Sequence, residues 1–251
     1  MSSEKTEAIV LRAIPWSETS LVVTLWTRDF GKLSAIAKGA RRLRSPFESA
    51  LDLLAHSSVV FLAKPGDVLD LLTEAKLMRR FRSGQRNLLN LYCGYYVAEL
   101  LLATTEDGSP IAELFALTQR TLEDLDVAEL PAEVLLRFEL NLLRLLGHMP
   151  SLDACVGCGE NVQVLENAAF GIESGGVLCQ ACIPGQRSII RLKKPTIEHL
   201  TGMLNNPWDT LPLIRIARPL RAEIRSLMNL TFVALQHRKF DMQPFLDGLS
   251  H

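Results

Sequence analysis

The stretch "EAIVLRAIPWSETSLVVTLWTRDFGKLSAIAK", residues 7–38, decides the fold. Its apolar segments at 7–14, 19–27 and 31–38 are rich in β-branched residues and partly alternate, a pattern typical of strands. The turn "TRDFGKL" between the last two segments offers Gly31 for a positive φ. Two further strand patterns, "HSSVVFLAK" and "VLDLLTEAKLMRRF", follow it. Five short strands in this length predict a small closed barrel of the oligonucleotide-binding (OB) type.

From Gln85 onward the apolar residues follow a helical period. "RNLLNLYCGYYVAELLLATT" is apolar almost all round, which predicts a central helix buried by its neighbours. "SPIAELFALTQRTLEDL" offers Ser109 as an N-cap and Pro110 at the first helical position. "PAEVLLRFELNLLRLLGHMP" begins at Pro131 and stops at Gly147. Two more helices, "PTIEHLTGMLNN" and "RPLRAEIRSLMNLTFVALQHRKF", are predicted after the cysteine-containing segment.

These patterns divide the chain into four segments of an α+β, multidomain protein. We predict an OB-fold nucleic-acid-binding domain at 1–82, a helical domain at 83–150, a four-cysteine zinc-finger insertion at 151–190 and the C-terminal part of the helical domain at 191–251. The first segment carries 13 Lys/Arg against 9 Asp/Glu and the second 4 against 10, although the whole chain has a net charge of only −1. This uneven charge favours one surface for a polyanion and another of a different kind.

Four of the five cysteines form two CxxC pairs, separated by 20 residues: Cys155 and Cys158, then Cys179 and Cys182. Each CxxC turn places two thiolates on one side of a tight knuckle, and two facing knuckles supply the tetrahedral all-sulfur coordination of structural zinc. The spacing therefore predicts one structural Zn²⁺ with no position left open for catalysis.

Alternatives exist for each part of this cysteine pattern. Two redox-active pairs and unrelated reduced thiols are the alternatives to zinc, but a thioredoxin-like site needs a single CxxC in a βαβ unit, and that context is missing. His148 is a substitute ligand or a cap at a helix C-terminus. Cys93 lies in an apolar helical pattern and is interpreted as an inert buried thiol.

A cluster of cations follows the second predicted strand. Between Arg28 and Arg44 the chain carries six basic residues and one acid, Asp29. Clustered cations bind phosphate backbones with release of counterions, whereas the alternative is an ordinary solvated loop. Trp16, in a loop, is a candidate for base stacking, and Trp26 is interpreted as a core residue. A second group, at positions 215, 218, 221 and 225, either binds a ligand or pairs with the acidic middle segment.

Several function classes find no support in the sequence. No apolar run reaches the roughly 18 residues of a membrane span, and the N-terminus lacks the apolar region of a secretory signal. We therefore expect a soluble, cytoplasmic protein without a membrane partner. No HExxH, GxSxG, Walker A, dinucleotide or deaminase motif is present, so we expect no enzyme.

The order of these features resembles a known family. The block "EAIVLRAIPWSETSLVVTLWTRDFGKLSAIAKGARR", the strand end "LLTEAKLM", the helix "YCGYYVAELL" followed by Leu114 and Phe115, and the two late cysteine pairs are similar to the bacterial RecO family of DNA repair and recombination mediators. The resemblance covers nearly the whole chain. It implies an OB barrel, a helical domain and, as in some members, a zinc-binding insertion.

The resemblance also implies a function and a set of site residues. RecO-like proteins bind single- and double-stranded DNA at the nucleoid, anneal complementary strands, and act with RecR, and often RecF, to load RecA onto DNA covered by single-strand-binding protein. The matching block makes four residues the leading DNA contacts, with Arg44 just outside it: Lys32, Lys38, Arg41 and Arg42. The zinc ligands carry over as the four paired cysteines.

The sequence therefore supports two hypotheses about function. The first is a DNA-binding mediator without catalytic turnover. The second is a zinc-stabilised adaptor that binds only proteins, with the basic loop as ordinary surface. Because the chain is less basic than a dedicated DNA binder, partner-assisted binding is favoured over tight solitary binding, and the acidic helical segment is the expected protein-binding region.

Overall fold

The computed structural model describes residues 2–64, 66, 68–83, 87–163, 166–205 and 213–248. The chain forms two compact units, one comprising Met1–Pro131 with Pro244–His251 and the other Ala132–Gln243. In the described ranges, none of the helices has the length and apolar character needed to cross a membrane.

Five strands close into a barrel in the first unit. They are β1 (Ser3–Pro15), β2 (Leu21–Thr27), β3 (Gly31–Ala37), β4 (His56–Leu62) and β5 (Asp70–Arg79). The order around the barrel is β1-β2-β3-β5-β4, and every neighbouring pair is antiparallel except β3 and β5. The predicted α+β fold with an N-terminal five-stranded barrel is thus confirmed.

The alternation in the sequence explains which faces line the barrel core. Along β3, buried Leu33, Ala35 and Ala37 alternate with half-buried residues, as a strand with one buried face requires. Gly31 starts this strand with φ +65, and a Cβ built there would lie 2.5 Å from the backbone of Ser109. Glycine is therefore required at this turn both by conformation and by space.

Two long helices complete the first unit. Helix α1 (Leu88–Thr104) begins where the side chain of Asn87 accepts a hydrogen bond from the amide of Leu89, and α2 (Ala112–Leu125) follows. The predicted N-cap at Ser109 is wrong, because α2 begins three residues later, after Ile111. The segment before α2 is instead bound to β3, since the amide of Gly108 donates to the carbonyl of Lys32 over 2.9 Å.

The second unit combines helices with a small sheet. Its elements are α3 (Pro131–Leu145), β6 (Asn167–Gly171), β7 (Gly176–Leu178), β8 (Ile189–Lys193), α4 (Lys194–Leu204) and α5 (Arg218–Gln236). The three strands form an antiparallel sheet in the order β7-β6-β8. A last short helix, α6 (Gln243–Gly248), ends the described chain and belongs, from Pro244 onward, to the first unit.

Ion pairs between α3 and α5 explain two members of the second arginine group. The carboxylate of Glu139 is fully buried and accepts two hydrogen bonds from the guanidinium of Arg225. Buried Glu133 lies 3.7 Å from Arg221 and accepts a hydrogen bond from the amide of Ile216. A buried carboxylate is stable only with such partners. Arg221 and Arg225 therefore pair with the acidic middle segment, the structural alternative considered for them.

Candidate functional site

The basic loop predicted to contact DNA is an exposed surface loop that follows β3. Its four cations, Lys38, Arg41, Arg42 and Arg44, are all exposed. Gly39 turns the chain with φ +77, and the amide of Arg42 donates to the Gly39 carbonyl over 3.1 Å. The loop returns to the core at Phe47, which is 3% exposed. The cations are thus carried on a tight turn anchored at both ends in the barrel.

The loop between β1 and β2 meets this basic loop. The amide of Arg41 donates to the carbonyl of Thr19 over 3.0 Å, and its guanidinium donates to the carbonyl of Ser17 over 2.7 Å. Trp16 precedes these two residues, and its side chain is 64% exposed. The structure therefore brings an exposed indole and the cations of Arg41, Arg42 and Arg44 to one end of the barrel.

Lys32 does not belong to this exposed surface. Its ammonium donates to the carbonyls of Leu102 and Thr105, over 3.1 and 2.6 Å, and lies 3.4 Å from the carboxylate of Asp107. The side chain is only 13% exposed. A cation at a helix C-terminus satisfies the last carbonyls and interacts favourably with the helix dipole. Lys32 thus caps α1, a role that no local sequence signal indicated.

Two further aromatic residues, Trp26 and Phe30, lie near the β2–β3 turn, at the end of β3 opposite the basic loop. Trp26 is fully buried, as predicted for a core residue, and Phe30 packs edge-on against Phe61 with ring centroids 5.2 Å apart. Leu43, by contrast, is completely exposed between Arg42 and Arg44. This apolar side chain was not singled out from the sequence, although "RRLR" places it within the charged loop.

The four paired cysteines form a single cluster in the second unit. All four Sγ atoms lie within 4.8 Å of one another, with Cys155 buried and Cys158 exposed. The Sγ atoms of Cys158 and Cys179 are 3.7 Å apart. Tetrahedral coordination with Zn–S bonds of about 2.3 Å requires sulfur atoms roughly 3.8 Å apart. The donor set and its spacing therefore fit a metal ion such as zinc.

Backbone geometry holds the cysteine knuckles in place. The Sγ atom of Cys155 accepts hydrogen bonds from the amides of Gly157 and Cys179, over 3.4 and 3.3 Å. A Cβ at Gly157 would lie 2.9 Å from the Sγ of Cys182, so glycine makes room for the second pair. Amide donors of this kind stabilise a thiolate.

The same contacts shift the acidities of the thiols. The amide of Cys179, opposed by burial, lowers the pKa of Cys155 to about 6. Hydrogen bonds with the neighbouring sulfurs, that of Cys179 foremost, raise the pKa of Cys182 to about 12. For Cys158 the amide of Glu160 lowers the pKa, but burial and the neighbouring sulfurs outweigh it and raise the pKa. Cys158 and Cys182 therefore hold their protons more tightly than a free cysteine does, and Cys155 releases its proton more readily.

The remaining candidate ligands lie outside this cluster. Within the described residues, the group able to hold a metal comprises the four cysteines and does not include His148. The amide of His148 donates to the carbonyl of Leu143 at the end of α3, after the turn at Gly147 with φ +77. Cys93 is buried in α1.

Comparison with known proteins matches the chain, over nearly its whole length, to the family that its sequence resembles. A model of the N-terminal part of Recombination protein O matches residues 1–81, and a model of its C-terminal part matches residues 85–232. A relative from Rhodopirellula baltica named DNA repair protein RecO is 40% identical over 95% of this chain and 97% of its own. One of the same name from Symbiobacterium thermophilum is 32% identical over 99% of this chain and 98% of its own.

Proposed function

The chain belongs to the RecO family of DNA repair proteins, and from that premise we propose that it is a recombination mediator that binds DNA without catalytic turnover. Its role lies in DNA repair and recombination. In the proposed activity it binds single- and double-stranded DNA and anneals complementary strands. With RecR as partner, and RecF as a further candidate, it assists loading of RecA onto strands covered by single-strand-binding protein.

The observation that carries this proposal is the meeting of the two loops at one end of the barrel. OB folds bind single strands with their loops and strand face, combining aromatic stacking with a cationic path for the backbone. Here Trp16 supplies the exposed ring, and Lys38, Arg41, Arg42 and Arg44 supply exposed cations beside it. Lys32 contributes to this site indirectly, by holding β3 against α1.

We further propose that the cysteine cluster holds one structural Zn²⁺. Four sulfurs at this spacing leave no open coordination position, which suits a structural rather than a catalytic ion. The two knuckles lie before β6 and after β7, so a bound ion would tie the two ends of this hairpin together. A disulfide-forming redox pair needs two sulfurs, whereas all four converge here.

A salt titration with a labelled single-stranded oligonucleotide tests the DNA-binding proposal. Replacing Arg42 and Arg44 together by Ala removes two phosphate contacts, so affinity falls and the slope of log K against log[salt] becomes shallower by about 1.4, or about 0.7 per contact on a single strand. The control is Arg120→Ala, an exposed cation on α2. Equal affinity and slope in the double variant and the control would contradict the proposal.

A protein-only adaptor is the second candidate, favoured by the near-neutral net charge and the acidic segment at 83–150. It predicts that RecR binds while no single- or double-stranded oligonucleotide is retarded at low salt. An enzymatic role predicts instead nucleotide hydrolysis or DNA cleavage that a single substitution abolishes. Either result would replace the mediator proposal.

A further inference from the structure

The guanidinium of Arg41 already makes a hydrogen bond within the protein. This distinguishes Arg41 from a cation that serves only to contact phosphate. It donates to the carbonyl of Ser17 over 2.7 Å, while the amide of the same residue donates to the carbonyl of Thr19 over 3.0 Å. One residue of the basic loop thus binds two carbonyls, two residues apart, in the loop that carries Trp16. A hydrogen bond from a charged donor contributes more than one between neutral groups.

The loop that carries Trp16 is short and internally ordered. The amide of Trp16 donates to the carbonyl of Ser20 over 3.0 Å, and the amide of Ser20 donates to the hydroxyl of Ser17 over 3.2 Å. These bonds fix the turn itself, but they do not tie it to the rest of the barrel. The hydrogen bonds to Arg41 connect the turn to the basic loop, and they lie next to the residue that carries the exposed indole.

Base stacking depends on a ring that is held in place before the strand arrives. A loop that must be ordered on binding loses affinity, because its conformational entropy is lost at that moment. Resting on the proposed function, we infer that Arg41 is a positioning residue: its guanidinium fixes the loop at Ser17 so that Trp16 is presented to a base. Arg42 and Arg44 contact the phosphates.

This division of roles separates two neighbouring arginines that look alike in sequence. Arg42 has its guanidinium beside Gly39, about 3.8 Å from where a Cβ would stand. Removing either arginine deletes one cation from the same exposed loop. Only the removal of Arg41 also releases the carbonyl of Ser17, so Arg42→Ala is the matched control.

A double-mutant cycle in oligonucleotide binding tests the inference. Trp16→Ala loses roughly 5- to 150-fold in affinity, the range for one stacked base. The loss caused by Arg41→Ala should be at least about threefold smaller in the Trp16→Ala background than in the unsubstituted chain, because residues that act as a unit are not additive. The loss caused by Arg42→Ala should be the same in both backgrounds.

A second experiment monitors the conformation around Trp16 in the free protein by fluorine NMR. The chain contains three tryptophans, so 5-fluorotryptophan labelling gives three fluorine signals, and Trp16→Phe identifies the one from Trp16. Arg41→Ala should narrow this signal and move it toward the unfolded position, while Arg42→Ala leaves it in place. An unchanged Trp16 signal in Arg41→Ala would overturn the inference.

The two experiments separate failure of the inference from failure of the proposed function. An additive cycle for Arg41 and Trp16, in a chain that binds the oligonucleotide, overturns the positioning role and leaves DNA binding intact. A chain that binds no oligonucleotide at low salt overturns the proposed function and, with it, this inference.

Discussion

The ammonium group of Lys32 lies between two backbone carbonyls at the end of α1 and the carboxylate of Asp107. Each carbonyl is one of those that a helix leaves without an internal partner. The sequence suggested a DNA contact for Lys32 because it lies in a basic run. Its three partners come from residues about 70 positions later, so a local pattern has no means of revealing them.

We expect Lys32→Met to destabilise the first unit by about 1–3 kcal/mol, since a charged donor is lost from largely buried acceptors. Urea denaturation measures this change. Lys38→Ala, an exposed cation just after β3, is the control and should change stability by less than about 0.5 kcal/mol. If Lys32→Met kept full stability and instead weakened oligonucleotide binding, Lys32 would be a DNA contact.

A second prediction concerns Gly31. Alanine there adds both left-handed strain and a clash with the backbone of Ser109, whereas Gly108→Ala adds only the strain, because nothing lies within 4 Å of its Cβ position. Left-handed strain alone costs about 1–2 kcal/mol. Gly31→Ala should therefore lower the free energy of unfolding by clearly more than Gly108→Ala. Equal losses would show that the approach to Ser109 is not a tight contact.

At the scale of elements, the structure separates what a short pattern predicts from what packing decides. The five barrel strands and α1 were predictable because β-branched alternation and a continuous apolar run are strong local signals. The small sheet was not predicted, since β7 has three residues and β6 is rich in Gly and Ala. These strands are arranged around the cysteine knuckles, whose pairing is a long-range property. The spacing of the cysteines, by contrast, was sufficient to predict the cluster.

The cysteine knuckles give a prediction for pH. A metal binds thiolates, so each thiol that is protonated must release its proton. At pH 7 to 8 Cys182, with its pKa raised to about 12, and Cys158, with its pKa raised, hold protons, while Cys155, with a pKa of about 6, does not. Zinc affinity should therefore fall at least about 100-fold for each unit that pH decreases, because at least the protons of Cys158 and Cys182 must be released.

Competition against a coloured chelator over this pH range measures the slope. Below pH 6 the protonation of Cys155 should steepen it further. Cys155→Ser supplies the control, because the loss of one sulfur should abolish stoichiometric zinc at every pH. An affinity that does not depend on pH, or a Cys155→Ser variant with unchanged zinc content, would contradict a site made of these four thiolates.

At the scale of the whole molecule, the net charge of the chain does not predict whether it binds DNA. The chain has a net charge of −1 and a pI of about 6.5, yet its exposed basic loop carries four cations within seven positions. Only the local field acts on a phosphate at a few ångströms, because salt screens charges beyond about 8 to 10 Å. The acidic residues of the middle segment therefore need not oppose DNA binding.

We therefore expect oligonucleotide affinity to be nearly constant between pH 7 and pH 8.5 at fixed ionic strength. The whole chain becomes more negative over this range, but lysine and arginine keep their charge. Fluorescence anisotropy with the labelled oligonucleotide is the measurement, and a change within about threefold is expected. Binding that weakens steadily as pH rises over this range would mean that net charge, rather than the basic loop, governs binding.

The parallel pairing of Ala35–Ala37 with Asp70–Leu72 closes the barrel. Without this seam, β3 and β5 would be edge strands of an open sheet. The unpaired backbone groups of an edge strand allow other chains to pair with it and aggregate. The seam joins the two strands over these three residue pairs. The basic loop begins directly after Ala37, the last residue of β3, and lies outside the seam. Changes in its length or sequence can therefore alter binding during evolution without opening the seam between β3 and β5.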